Sequence, residues 1–187
     1  MKDTLIESAK KENITSTISK VSEIEGIDPH KLANLIAKGR VVIPKNVLRE
    51  HISPKAVGEC VSTKVNANIG TSREHGNVEE ELLKAKTSVL NGADTVMDLS
   101  TGKDINSVRR QILKEIDVPI GTVPIYQAAS EHSSVLDMTE DDMFNAVRLH
   151  VKDGVDFVTI HTGVTLRAID LLRSCLLYTS PSPRDRS

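Results

Sequence analysis

Six polar side chains fall at or just beyond the ends of apolar runs: Asn66 and Asn68, Asp98 and Ser100, Tyr126, and His161. Amide, carboxylate, hydroxyl, phenol and imidazole groups can hydrogen bond a small polar ligand or move a proton on it. The stretch Asp94-Thr-Val-Met-Asp-Leu-Ser-Thr-Gly102 is the clearest case, an apolar strand that breaks into small and polar residues and carries Asp98 and Ser100 at its end. Parallel α/β architectures gather such strand ends on one side, so these groups are expected to converge on one ligand. Each also has a plainer reading. Asn66 and Asn68 lead into Ile69-Gly70-Thr71-Ser72 and could build a turn. Asp98 could cap the next helix or pair with a lysine. Met97 suits core packing, Tyr126 could pack at a rim, and His161 could be a core histidine with both nitrogens satisfied.

Other candidates carry less. Gly102 and Gly121 do not form a phosphate-binding fingerprint. His30, His51, His75, His132 and His150 lack the spacing of a metal site and read as surface or turn residues. Cys60 reads as a small apolar residue near the start of a strand. No residue is assigned as catalytic or as a metal ligand.

The elements that must position the six follow from periodicity. From Ser62 onward strand and helix alternate. Strands are expected at Val65 to Ile69, from Asp94, at Val118 to Val123 between two prolines, and at Asp156 to Ile160. The first intervening helix has Asn77 as cap, Val78, Leu82, Ala85 and Val89 on one face, and Gly92 at its close. The second shows Ile105, Val108, Ile112 and Ile116 on one side; the third has Thr139 as cap, a stripe of Met143, Val147 and Val151, and Gly154 as stop. Two junctions repeat: Asn91-Gly-Ala-Asp-Thr-Val96 and Asp153-Gly-Val-Asp-Phe-Val158. A repeated strand-helix unit with short connections implies parallel strands, and strands this apolar imply a sheet covered on both faces. A (β/α) barrel and a doubly wound sheet both satisfy this pattern; the units are too few to close a barrel alone.

Before Ser62 the chain reads as short helices. Asp28 and Pro29 supply an N-cap and a proline at the first helical position, Leu32, Leu35 and Ile36 make a stripe, and Gly39 ends it. Val41-Val42-Ile43 is expected to be a strand that Pro44 terminates. The expected organisation is therefore a small, mainly helical amino-terminal subdomain over residues 1–51 and an α/β unit over 52–174. Residues 175–187, rich in Ser, Pro and Arg, read as a non-native adapter-derived tail on a truncated frame.

Composition narrows the function classes. The 187 residues carry 24 basic and 26 acidic side chains for a formal net charge of -2, so no basic field draws in nucleic acid. Aromatics at 2% remove the stacking platforms of single-strand binders. No apolar run is long enough to span a membrane and no signal peptide is apparent, which points to a cytoplasmic protein.

Written out together, Asn66-Ala-Asn-Ile-Gly70, Gly92-Ala-Asp-Thr-Val-Met-Asp-Leu-Ser-Thr-Gly102, Val118-Pro-Ile-Gly-Thr-Val-Pro-Ile-Tyr-Gln127, and Thr159-Ile-His161 with Gly163 resemble the phosphomethylpyrimidine synthase family. These are radical-SAM enzymes that make the pyrimidine half of thiamine. The resemblance implies a partial TIM-type (β/α) barrel whose mouth holds aminoimidazole ribonucleotide through Asn68, Met97, Tyr126 and His161. It also implies, for the full-length family, a 4Fe-4S cluster, S-adenosylmethionine, zinc, and a homodimer. Thr71, Ala129 and Thr162 stand where the family more often has Asn, Leu and Ala. The family's later substrate loops, metal-binding histidines and CxxCxxxxC are absent from this sequence, which implies an inactive fragment because the cluster needs thiolates. Two readings compete: an iron-independent barrel lyase or aldolase acting on a sugar phosphate with His161 and Asp98 as acid and base, and a non-catalytic ligand-binding or assembly module.

Overall fold

The computed structural model describes residues 3–72, 74–102 and 104–174. The expected tail over 175–187 lies outside them.

Three short helices open the chain: α1 (Leu5–Lys10), α2 (Ser16–Glu25) and α3 (Pro29–Ala37). Local chemistry sets their ends. The Thr4 hydroxyl and the Glu7 carboxylate form a capping box on α1, and the Asp28 carboxylate accepts from the backbone N–H of Lys31 ahead of Pro29. Next comes β1 (Val41–Val42), which pairs antiparallel with β2 (Val57–Gly58), a strand without a clear sequence signal. Ile18, Val21, Leu32, Ile36 and Val41 form a first core, into which Ala56 and Val61 also pack.

The second body alternates strand and helix as expected, except that two helices follow its third strand. It runs β3 (Asn66–Ile69), α4 (Val78–Leu90), β4 (Thr95–Asp98), α5 (Ile105–Glu115), β5 (Ile120–Thr122), α6 (Pro124–Ser130), α7 (Glu140–Asp153), β6 (Phe157–Val158) and α8 (Leu166–Ser174). The four strands form one parallel sheet in the order β3-β4-β5-β6. Asn77 caps α4, Thr139 caps α7, and Gly154 closes α7 in the left-handed region at φ 106°.

Side chains alternate across this sheet. Ile69, Val96 and Ile120 pack with Ala85 of α4 and Val108 and Ile112 of α5 into a second core. On the other face Asn66 and Asn68 are exposed and Met97 and Phe157 are half-buried. Among the described residues the sheet is therefore covered on one face only, against the expectation of two. With each strand adjacent to its predecessor in sequence, right-handed crossovers put the helices that connect the strands on the same side.

Three further expectations change. The seven-residue α6, begun by Pro124 at its first turn, lies where only a strand end was expected; it is too short to show a periodicity. On α7 the buried residues are Ala146 and His150, while Met143 and Val151 are 36% and 50% exposed, because the helix turns its polar stripe inward. Cys60 is exposed in a turn at φ 66° rather than apolar filler.

The repeated junctions acquire a physical role. At the start of β4 the Asp94 carboxylate accepts from the backbone N–H of Val65 at 2.9 Å and pairs with Lys55 at 3.0 Å. At the start of β6 the Asp156 carboxylate accepts from the N–H of Ile120 at 2.8 Å and pairs with Arg49. Each aspartate thus ties its strand to the preceding one and to a cation on the segment leaving the first core. Arg49 is buried and also donates to the carbonyls of Val118 and Ile116.

Candidate active site at the strand ends

The open face of the sheet is set by register. Asn68 lies opposite Met97, Met97 opposite Gly121, and Gly121 opposite Phe157. One row therefore crosses all four strands. The Phe157 ring occupies the space over Gly121, where an added Cβ would collide with it. Glycine inside an otherwise apolar strand is the signal that a neighbour approaches closely there. Met97 receives a contact from the Thr159 hydroxyl at 3.8 Å to its sulfur. Asn68 Oδ1 accepts from Asn66 Nδ2 at 2.9 Å, and Asn66 Oδ1 accepts from the Thr95 hydroxyl at 2.8 Å. The two asparagines are thus orienting partners on the strand itself, not turn builders.

Tyr126 and His161 stand at the next level, just past the ends of β5 and β6. Their ring centroids are 6.1 Å apart with planes tilted by 33°. Tyr126 is 37% exposed and His161 is exposed, so neither is a core residue.

Asp98 and Ser100 do not join this group. Strand alternation turns Asp98 away from Met97 to the helix-covered side, where it is 4% exposed. Its carboxylate accepts from the N–H of Ser100 at 2.9 Å and from the Ser100 hydroxyl at 2.5 Å. Burial pushes the Asp98 carboxyl above the usual range, opposed by those hydrogen bonds. Ser100 Oγ in turn accepts from the N–H of Thr71 at 3.0 Å, and the backbones of the two loops run together through Thr101 N–H to the Thr71 carbonyl at 2.8 Å. Gly70 permits this approach: at φ 150°, an added Cβ would sit 2.7 Å from the Leu99 and Ser100 backbone. Asp98 and Ser100 therefore build the loops that follow β3 and β4. The structure does not bring Asp98 and His161 together as an acid and base pair.

A buried polar cluster that spacing did not single out lies behind Tyr126. Arg109 is fully buried, and His150 and Gln127 are 2% exposed, so His150 is not a surface residue. The Arg109 guanidinium donates to Asp153, to Gln127 Oε1 at 2.7 Å and to Asn106 Oδ1 at 2.6 Å. His150 meets Gln127 Oε1 through Nε2 at 2.9 Å and the Thr122 hydroxyl through Nδ1 at 2.7 Å. Burial and the Arg109 charge hold the His150 imidazole down to about 4, so it is neutral. Burial raises Asp153, but hydrogen bonds from Arg109 and Arg110 outweigh it and leave that carboxyl lowered. A polar stripe at helical spacing, as His150 and Asp153 make beside Ala146 with Arg109 opposite, was the available clue.

The described residues contain no group of three or more His, Cys, Asp or Glu that could hold a metal ion, and no helix among them is long and apolar enough to cross a membrane.

Comparison with known proteins places this site in context. A family model described as "Radical SAM ThiC family" matches residues 4–177. A phosphomethylpyrimidine synthase of Pyrococcus furiosus is 55% identical over 174 residues, covering 91% of this chain and 41% of the relative. Proteins of the same name from Archaeoglobus fulgidus, and "Phosphomethylpyrimidine synthase 2" from Methanosarcina barkeri, are 53% and 50% identical over 170 residues, each covering 91% of this chain and 40% of the relative. The chain spans about two fifths of the length of the curated relatives it matches.

Proposed function

The chain belongs to the Radical SAM ThiC family, and from that premise we propose that it supplies the first part of a phosphomethylpyrimidine synthase. In this reading, residues 1–51 form the amino-terminal subdomain and residues 52–174 the opening units of a TIM-type (β/α) barrel. Asn68, Met97, Tyr126 and His161 bind aminoimidazole ribonucleotide, which the whole protein converts to hydroxymethylpyrimidine phosphate. The observation that carries the reading is the common face. Asn68 and Met97 are register neighbours on it, and the Tyr126 and His161 rings stand 6.1 Å apart at its carboxyl end.

The roles follow from the groups. The Asn68 amide both donates and accepts, and Asn66 fixes its orientation. Tyr126 and His161 offer a phenol and an imidazole to the ring nitrogens and ribose hydroxyls. Met97, backed by Phe157 over Gly121, gives an adaptable apolar floor. A 4Fe-4S cluster with S-adenosylmethionine supplies reductive one-electron chemistry when bound in such enzymes. This sequence has only two cysteines, Cys60 and Cys175, and Cys60 is free and exposed among the described residues. These residues do not fit the cluster or a zinc ion, so the proposed part of this chain is to hold and orient the ribonucleotide.

Amide NMR titration with aminoimidazole ribonucleotide tests the reading. Resonances of residues 66–68, 97, 126 and 161 should shift with a common saturation curve. Shifts confined to other surfaces, or none at millimolar ligand, would count against it.

A further inference from the structure

Tyr126 and His161 reach each other from different strand-helix units, and their backbones make no direct bond. The strands that lead to them are joined directly, since β5 pairs with β6 and the Thr159 N–H donates to the Thr122 carbonyl at 2.9 Å. The buried cluster adds a second tie, between α6 and α7. Thr122, at the end of β5, and Gln127, the residue after Tyr126 on α6, flank Tyr126 in sequence, and both bond the same imidazole of His150 on α7. Arg109 of α5 joins Gln127 to Asp153 at the other end of the same helix turn. Asn106 closes the ring of contacts by accepting from both Arg109 and Gln127 Nε2, at 2.6 Å and 3.0 Å.

We propose that Gln127, His150 and Arg109 are positioning residues that hold the Tyr126 ring at its distance from His161. Three features argue for this over general packing. The contacts are buried side-chain hydrogen bonds with specific partners, so a change of any one acceptor redirects the rest. Both grips on His150 straddle Tyr126, within four residues of it on one side and one on the other. Finally, α7 continues through Gly154 into β6 and His161, so holding His150 against β5 and α6 sets where α6, and with it the Tyr126 ring, sits relative to the paired β5 and β6. The proposal rests on reading the two rings as ligand contacts, as above.

The test uses the isotope-labelled 187-residue chain and the NOE cross-peak between the Tyr126 and His161 rings. Thr122→Val removes the hydroxyl and keeps the shape, and should abolish the cross-peak; Thr122→Ser, which retains the hydroxyl, should restore it. Asn106→Ala, at a half-buried position gentler on the core, should weaken it. A purely structural cluster would lower the melting temperature in these variants and leave the ring contact at wild-type intensity. That result in both Thr122→Val and Asn106→Ala overturns the proposal, and Asn106→Ala alone decides if Thr122→Val fails to fold. A parallel titration with aminoimidazole ribonucleotide separates the two ideas. Loss of the cross-peak in a chain whose wild type ignores the ribonucleotide sinks the functional reading and leaves the positioning role standing. Ribonucleotide binding with unmoved rings does the reverse.

Discussion

A histidine kept neutral by its surroundings makes folding depend on pH. The His150 imidazole has an ordinary value of 6.5 and is held at about 4 in the folded chain by burial and by Arg109. Because the folded value is depressed, the stabilisation is fully present above pH 6.5 and is lost as pH falls toward 4. Each pH unit separating the two values is worth about 1.4 kcal/mol, so the loss amounts to up to about 3 kcal/mol. Asp98 has the opposite sign, since burial raises its carboxyl and its contribution declines as pH rises through the folded value. The clean measurement is therefore a difference. Urea midpoints between pH 7.5 and 4 should fall less steeply in His150→Gln than in the wild type, and parallel curves would refute the assignment. The same residue shows where reading side chains singly fails. His150 has no metal-like spacing and its type favours the surface, yet Thr122 on β5 and Gln127 on α6 take it inside.

At the scale of elements, both junction aspartates accept from a backbone N–H at the preceding strand, but they differ in their cations, and Asp156 also accepts from the Asn46 N–H at 2.8 Å. Arg49 and Asp156 side chains are 7% and 0% exposed, whereas Lys55 and Asp94 are each 21% exposed. Removing one member of a buried pair strands the other charge, at a cost of about 3 to 5 kcal/mol, while a partly exposed pair contributes about 1 kcal/mol or less. Thermal melts should accordingly show Asp156→Asn far more destabilised than Asp94→Asn. Equal losses would mean that the bond to the preceding strand, common to both, carries the effect, and that neither the buried cation nor the Asn46 N–H adds to it. The caps and stops of α3, α4 and α7 were readable because an N-cap side chain or a left-handed glycine acts within three or four residues. The short α6 and the inward polar stripe of α7 were not, since nothing local distinguishes a polar face turned to water from one turned to Arg109.

For the whole molecule, the segment leaving the first core is tied through Arg49, Asn46 and Lys55 to the amino-terminal ends of the strands, at the opposite end of the sheet from the proposed binding residues. Supplied with reductant, S-adenosylmethionine and ribonucleotide, this 187-residue chain should form no phosphomethylpyrimidine, because the thiolates a cluster needs are missing. Product in that assay, followed by chromatography, would overturn the expectation. The sequence by itself determined the alternation of strand and helix from Ser62, the ends of α3, α4 and α7, the repeated aspartates and the family, because periodicity, capping and contiguous motifs are local or linear properties. Only the tertiary structure decided which face of the sheet is open, that Asp98 turns from it, and which distant cations answer Asp94 and Asp156. Those outcomes depend on register and on partners up to 107 residues away, and the choice among them is made by burial, which no local pattern encodes.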